Sequence, residues 1–420
     1  MTMKRSSDSI SSELDVGAAS PPKKSVVSQE LRGLEFFSGI GGLHFGLELA
    51  LLDNKVSVAP RILKAFDINT IANGVYEASF GQKVSTRSIG ALTTKDLDAF
   101  GDIDIWLLSP PCQPYTAGGK SLDDKDERAK PLLHLFDILP LIKVKPKFIF
   151  LENVPNFETS VSRNLLVACL QSVGYTYDEF IVSPMQFGIP NDRRRYYLAA
   201  KLDPGVALGA TEQPDLTLNL KTHWPVDGSA AVPVPPLSQY METLDDMTPF
   251  LLPKKYITSR PTFRFDIVRP DSTRSSTVTK SYGTKMVTRS GSFVQTRHME
   301  VSEYNFEDNA SIVELGLRFL TPVEVARLHA FPIDTEGAAC SAYMHQLVFP
   351  ESIPVSQKYK LLGNSLNVKP DPPNVNKQNG RKNGRFGSKH NSCQKGIQGL
   401  GDGILGVTQD GKWILLENEI

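Results

Sequence analysis

Short apolar runs that stop at a turn or a polar cluster recur through the first half of the chain: LEFF (34–37), IDIWLL (103–108) and KFIFLE (147–152). Buried runs of this kind, separated by helical stretches, predict the strands of an α/β parallel sheet. Between the first two, apolar residues at 43, 47, 50 and 51 trace one face of a helix. After about Leu202 the rhythm changes to Pro-rich connectors such as VPVPP (232–236). Order returns in RFLTPVEVARLHAFP (318–332), where Thr321 fits an N-cap, Pro322 the first helical position and Glu324 the far side of a capping box. This texture divides the chain into a large α/β part over 29–205, a smaller unit over 206–315 and a return to the first part over 316–368. The Ser-, Lys- and Pro-rich residues 1–28 are expected to be disordered. The stretch from 369 to 420 is expected to be a disordered, atypical tail. Prolines at 370, 372 and 373 and a run of Asn and Gly exclude a stable helix there. An apolar strip on the sheet would then be left without a covering helix.

Composition changes this picture little. The chain of 420 residues is 40% hydrophobic, 22% charged and has a net charge of zero, an ordinary globular balance. No apolar run reaches the roughly 20 residues that a membrane span needs, so no membrane partner is expected. Cys112, Cys169, Cys340 and Cys393 stand far apart without metal-ligand spacing, which argues against zinc and against a disulfide framework. They fit a reducing compartment, cytoplasm or nucleus. Local charge is more informative. Residues 251–298 carry ten Lys or Arg against two acids, interleaved with Tyr256, Phe263, Phe265, Tyr282 and Phe293. That mixture suits phosphate contacts and base stacking, with Lys280, Lys285 and Arg289 as candidate nucleic-acid ligands; a solvated face is the alternative.

Candidate chemistry gathers at the strand ends. FFSGIGG (36–42) closes the first strand with glycines at 39, 41 and 42, which allow a sharp turn and close approach to a ligand. Asp67 ends the next apolar run, where a carboxylate can hold ribose hydroxyls. The glycine spacing does not match a phosphate-cradling loop, which favours a nucleoside cofactor. SPPCQPYT (109–116) follows the IDIWLL strand and holds Cys112 between prolines at the sheet's carboxyl edge. A thiol there is a candidate nucleophile if nearby cations and a helix N-terminus assist its ionisation. LENVPNF (151–157) puts Glu152 on the same edge. Arg193 and Arg195 alternate in QFGIPNDRRRYYLAAK (186–201) and would face one side of an extended segment.

Taken together and in order, these segments resemble the motifs of the cytosine-5 DNA methyltransferases, from about Leu34 to Asn367, ending in the GNS of LLGNSLN (361–367). Within that family they look like the branch called DNA methyltransferase homologue two, whose members modify an anticodon-loop cytosine of transfer RNA. QFGIPNDRRRYYLAAK, KSYGTKMVTRSGSFVQT (280–296) and KYKLLGNSLNV (358–368) carry that likeness, and the branch's Cys-Phe-Thr signature stands here as Thr277–Val278–Thr279. The resemblance implies a Rossmann-like S-adenosylmethionine-dependent fold with a smaller target-recognition domain at 206–315. It implies S-adenosyl-L-methionine as cofactor, tRNA or alternatively DNA as partner, and a monomer. It also implies roles: Cys112 attacks C6 of an extruded cytosine, Glu152 engages N3 and the amine, and Arg193 and Arg195 stabilise charge. Around the cofactor it implies Phe37, Ser38, Gly39, Ile40, Gly41, Gly42, Asp67 on ribose, Ile68 and Ile89 about adenine with Ser88 beside it, and Ser109, Asn364 and Ser365 near the methionine end. A catalytically silent adaptor of the same fold would have no need to keep Cys112, Glu152, Arg193 and Arg195.

Overall fold

The computed structural model describes residues 30–53, 58–116, 122–205, 214–223, 232–288, 290–333 and 345–368. The readings made for residues 1–28, for Arg289 and for the tail from 369 lie outside them.

Alternation of strand and helix builds the first part. β1 (Glu30–Phe36) leads through the glycine turn into α1 (Gly42–Asp53), then β2 (Ala59–Phe66) and α2 (Thr70–Phe80). A short α3 (Thr94–Asp98) precedes β3 (Ile105–Leu108), α4 (Lys130–Ile138), β4 (Phe148–Asn153), α5 (Val161–Val173) and β5 (Tyr175–Val182). β6 (Arg195–Leu202) and β7 (Leu220–Lys221) complete a seven-stranded sheet in the order β2-β1-β3-β4-β6-β5-β7. Parallel registers place Phe66, Phe36, Leu108 and Leu151 side by side, so Asp67, Phe37, Ser109 and Glu152 emerge together at one edge. The fully parallel sheet expected from the apolar runs is corrected at β6, which is antiparallel to both β4 and β5. Residues 183–194 hold one 3-10 turn and no crossover helix, so the chain can only double back.

Helix ends follow local chemistry. Asn69 caps α2 through its side chain and Gly81 ends it in the left-handed region. Ser160 caps α5 and Gly174 closes it in the same way. α1 is buried on two sides. Leu43, Leu47, Ala50 and Leu51, the expected stripe, pack in a core with sheet residues, while Phe45 and Leu49 face a second core built largely from the C-terminal half. A helix apolar all round is one clamped between layers.

The second part contains α6 (Lys254–Thr258), β8 (Ile267–Val268), β9 (Phe293–Val294), α7 (Asn309–Glu314), β10 (Arg318–Phe319), α8 (Pro322–Leu328) and α9 (Val355–Asn364). β10, β9 and β8 form a small sheet, so strands from either side of residue 315 pair directly. α8 starts as its residues demand, with Thr321 and Glu324 forming the reciprocal capping box. The aromatic residues of the basic stretch are a correction. Phe265, Tyr282 and Phe293 are buried: Phe265 packs edge-on against Phe293, Phe293 against Phe319, and Tyr282 edge-on against Phe319 and Tyr359. Tyr256 and Phe263 pack partly buried on the same core. These rings hold the second part together, and Phe263 also lines an open cavity. No strand residue of the large sheet is among the exposed large apolar side chains, so the expected bare strip is not found there.

Candidate active site at the sheet edge

The strand ends open onto a cavity of about 420 Å³ that runs from the glycine turn to Cys112, Glu152 and Arg195. At one end the turn is held by its own backbone. Gly41 N–H donates to the Ser38 carbonyl at 2.8 Å, and Gly39 N–H donates to Asp67 Oδ2 at 2.8 Å. The second Asp67 oxygen accepts from Asn69 N–H at 2.7 Å. Burial raises the Asp67 carboxyl above its usual range. Phe37, a non-glycine residue at φ +59°, begins the turn in a strained conformation of the kind that gathers at functional sites. Ser109 ties β3 to β1 by donating its hydroxyl to the Phe37 carbonyl at 2.9 Å. Ile68 is 74% exposed at the cavity wall, an apolar surface in a place where a flat ligand can cover it.

Every expected cofactor residue except one lines this cavity: Phe37 to Ile40, Gly42, Asp67, Ile68, Ser88, Ile89, Ser109, Asn364 and Ser365. Gly41 is the exception. At φ +85°, a Cβ there would lie 2.3 Å from Phe80 and 3.2 Å from Tyr76, so the residue is glycine because the turn backs onto α2.

At the other end, Cys112 sits partly buried in a turn closed by Tyr115 N–H to the Cys112 carbonyl at 3.0 Å. Glu152 and Arg195 pair across β4 and β6, Nε to Oε1 at 3.4 Å, both mostly buried. Burial raises the Cys112 thiol above its ordinary value; Arg195, Arg193 and Lys280 pull it back down, and Glu152 pushes it further up. The cations assist ionisation as expected, but burial outweighs them, and the expected helix N-terminus is corrected: no helix begins at Cys112 among the described residues. Glu152 is likewise raised by burial, with Arg195 and Arg193 opposing.

Arg193 lines the cavity and uses both Nη atoms on the backbone, while its buried Nε has no partner. Its guanidinium donates to the carbonyls of Val278 at 2.9 Å, Gly363 at 3.2 Å and Ser365. Burial and the adjacent Arg195 push it down to about 9. The structure brings both arginines to one wall, as alternation implied, yet only Arg195 keeps a side chain turned to Glu152. Gly363 is needed for the same junction: a Cβ there would stand 2.3 Å from Thr279 C and 2.4 Å from Lys280 N.

Residues 31–370 match the C-5 cytosine-specific DNA methylase family. The chain belongs to that family. This methylase is 33% identical to the human tRNA (cytosine(38)-C(5))-methyltransferase, across 81% of its own length and 97% of that protein's. It is 34% identical to a Dictyostelium discoideum DNA (cytosine-5)-methyltransferase, with 81% and 92% covered. Its fold superposes on the crystal structure of the S. pombe Dnmt2 methyltransferase with a TM-score of 0.63 and 32% identity, covering 81% of this chain and 95% of that one. The mixed seven-stranded sheet is therefore a methyltransferase fold, and the chain is a cytosine-5 methyltransferase.

Sequence reading missed several cavity residues of the methylase. Asn69, beside the turn, stood in no recognisable motif. Arg87 and Arg128 also line the wall, each held by an acid: Arg87 by Asp96 at 2.6 and 2.8 Å, Arg128 by Asp126 at 2.8 and 2.6 Å. DDKDERAK (123–130) looks like a solvated charge run, and nothing in its spacing marks Arg128. Of the expected nucleic-acid ligands, Lys280 and Lys285 are exposed, and Lys280 is close enough to act on the Cys112 thiol.

Proposed function

We propose that this methyltransferase transfers the methyl group of S-adenosylmethionine to C5 of a cytosine in tRNA, through a covalent adduct on Cys112. One observation carries the reading: a single cavity holds the glycine turn with Asp67 at one end and Cys112, Glu152 and Arg195 at the other. The cofactor fits the residues present. Asp67 keeps acceptor capacity for ribose hydroxyls, Ile68 and Ile89 offer apolar walls, and the buried Ser38 hydroxyl has no partner of its own. When bound, S-adenosylmethionine supplies the methyl group.

The chain's residues do the rest. Cys112 gives up its proton to solvent and its Sγ adds to C6 of the extruded base, forming a C–S bond while the 5,6 electron pair moves toward C5. Glu152, kept more easily protonated by burial, shares its proton with N3 and so accepts the charge that would develop on the ring. Arg195 holds the Glu152 carboxyl and faces the base oxygen. After C5 is methylated, its proton leaves to solvent or a base and the thiolate is expelled. Arg193 holds this wall in place through its contacts with the backbone. A loop nucleotide costs less to extrude than a stacked duplex base, which favours tRNA over DNA, and the identity to the human tRNA enzyme supports the same choice.

The test is bisulfite sequencing of total RNA and of DNA after incubation with protein and cofactor. A new methylcytosine in a tRNA loop is expected. Methylation confined to DNA would overturn the substrate assignment.

A further inference from the structure

Beside the catalytic cavity lies a second one, of about 330 Å³. The two share a wall. Residues 191–193 and 275–279 run alongside each other in extended form, with Asp192 N–H donating to the Ser275 carbonyl at 2.7 Å and Thr277 Oγ1 to the Asp192 carbonyl at 2.7 Å. Arg193 faces the catalytic side, while Asp192, Ser276 and Thr277 face the other. One layer of backbone separates the cavities.

The second cavity's groups are sorted by what they leave free. Asp192 is satisfied, by Arg274 at 3.1 and 3.3 Å and Ser183 at 3.4 Å. Asp266 is not. Its Oδ2 accepts from the Ser276 and Ser292 hydroxyls, whereas Oδ1 makes no hydrogen bond among the described residues and has Arg274 Nη1 only at 3.9 Å. Phe263 adds an aromatic wall, its ring fixed edge-on against Phe265 at 4.8 Å. Arg264 lines the cavity, is exposed, and makes no hydrogen bond or ion pair among the described residues. An aromatic wall, a carboxylate with an open lone pair and an uncommitted guanidinium are what a nucleotide uses for base, base edge and phosphate.

We infer that this cavity is a second nucleotide site, which takes a base flanking the target cytidine in the same RNA strand and reads its hydrogen-bond donor edge through Asp266. The inference rests on the RNA reading above and deepens it. A strand with its cytosine in the catalytic cavity passes Lys280, which is near Cys112 and follows Thr279 of the second cavity's lining. A base with an amino or imino donor is favoured over one presenting acceptors, because an acceptor facing Asp266 leaves two lone-pair groups opposed.

The experiment uses stem-loop RNAs with one fixed target cytidine, each flanking nucleotide replaced in turn by an abasic unit. With the wild-type protein, one flanking position is expected to lower kcat/KM for methylation about tenfold when its donor edge is removed. Asp266→Asn should lower kcat/KM on intact RNA by a similar factor and add nothing on the RNA already lacking that base. Arg264→Ala, on the exposed rim, should raise KM with little change in kcat. Melting temperatures of both variants guard against a folding defect. An Asp266→Asn effect equal on all RNAs, or absent on all, overturns the second site while leaving tRNA methylation standing. A wild-type protein that methylates DNA and no RNA overturns both.

Discussion

Cys112 and Glu152 carry burial against charge in opposite roles. The thiol is held above its ordinary value, so the free enzyme keeps Cys112 protonated near neutrality and its reactivity should rise with pH. Alkylation of Cys112 by iodoacetamide is expected to climb at a pH above about 8.5, the usual thiol value, and removal of Arg195 by Arg195→Ala should move that climb higher still. A thiol titrating below neutrality would contradict the balance of burial over cations. Cys112→Ser should cut methylation by roughly a thousandfold or more while leaving S-adenosylmethionine affinity near the wild-type value. A serine variant that methylates at the wild-type rate removes Cys112 from the chemistry. Away from the site, Glu35 accepts from Tyr76 at 2.9 Å, and burial pushes its carboxyl up to about 8. The native state therefore keeps a proton that the unfolded chain releases above about 4.3. This stabilisation is complete below that pH and is lost as the pH rises to about 8. Glu35→Gln should raise the stability at about pH 8 by a few kcal/mol and leave it nearly unchanged at about pH 4.5, read by thermal unfolding. Equal gains at both pH values would place Glu35 ionised in the native protein. The placement of Cys112 and Glu152 was legible because Glu152 ends one apolar run and Cys112 sits in the proline loop that follows another. The state of the thiol was not, since the burial that outweighs Arg195 and Lys280 comes from residues distant in sequence.

Elements meet at the turn after α9, where three separate segments are pinned by one arginine. Arg193 ties Val278 of the second part to Gly363 and Ser365, while Gly363 lets α9 abut Thr279 and Lys280. Gly363→Ala forces a Cβ into backbone at 2.3–2.4 Å, which no rotamer can relieve. The expected cost is about 1–3 kcal/mol of stability, with methylation falling further than that loss alone explains because Asn364 and Ser365 line the cofactor end of the cavity. Urea unfolding and methylation assays measure the two effects separately; a variant with wild-type values of both would mean the junction yields freely. The GNS motif was visible in the sequence only as a turn, and its close approach to residues 279–280 joins segments more than eighty residues apart in the chain. β6 illustrates another limit. YYLAA (196–200) shows an apolar strand but carries no sign of direction, and only the lack of a helix between 183 and 194 tells that the chain returns antiparallel. The α1 stripe was read correctly, whereas its second buried face, Phe45 and Leu49, needed knowledge of what lies above the sheet.

For the whole molecule, a net charge of zero hides an uneven distribution, and the structure sorts the basic stretch into structural and free cations. Arg260 donates to the carbonyls of Tyr256 and Lys285, Arg269 pairs with Asp271, and Arg274 with Asp192. Lys254, Lys255, Arg264, Lys280 and Lys285 remain exposed. The sequence pattern could not separate these groups, nor show that Phe265, Tyr282 and Phe293 turn inward, because the strands here are two residues long and too short for alternation to register. Exposed cations bind phosphate by releasing counterions, so their share in RNA affinity is read from salt dependence and not from affinity at one salt. The variant Lys280→Glu with Lys285→Glu should weaken tRNA binding and flatten the plot of log K against log salt by roughly 0.7 for each phosphate no longer neutralised on a single-stranded loop. Lys254→Glu with Lys255→Glu, farther along the same basic stretch, provides the comparison for bulk charge. A larger change in slope for the first pair than for the second places the RNA path over Lys280 and toward Cys112. Equal slopes for both pairs would mean that charge acts through net field alone, and an unchanged slope for both would make the stretch a solvated face.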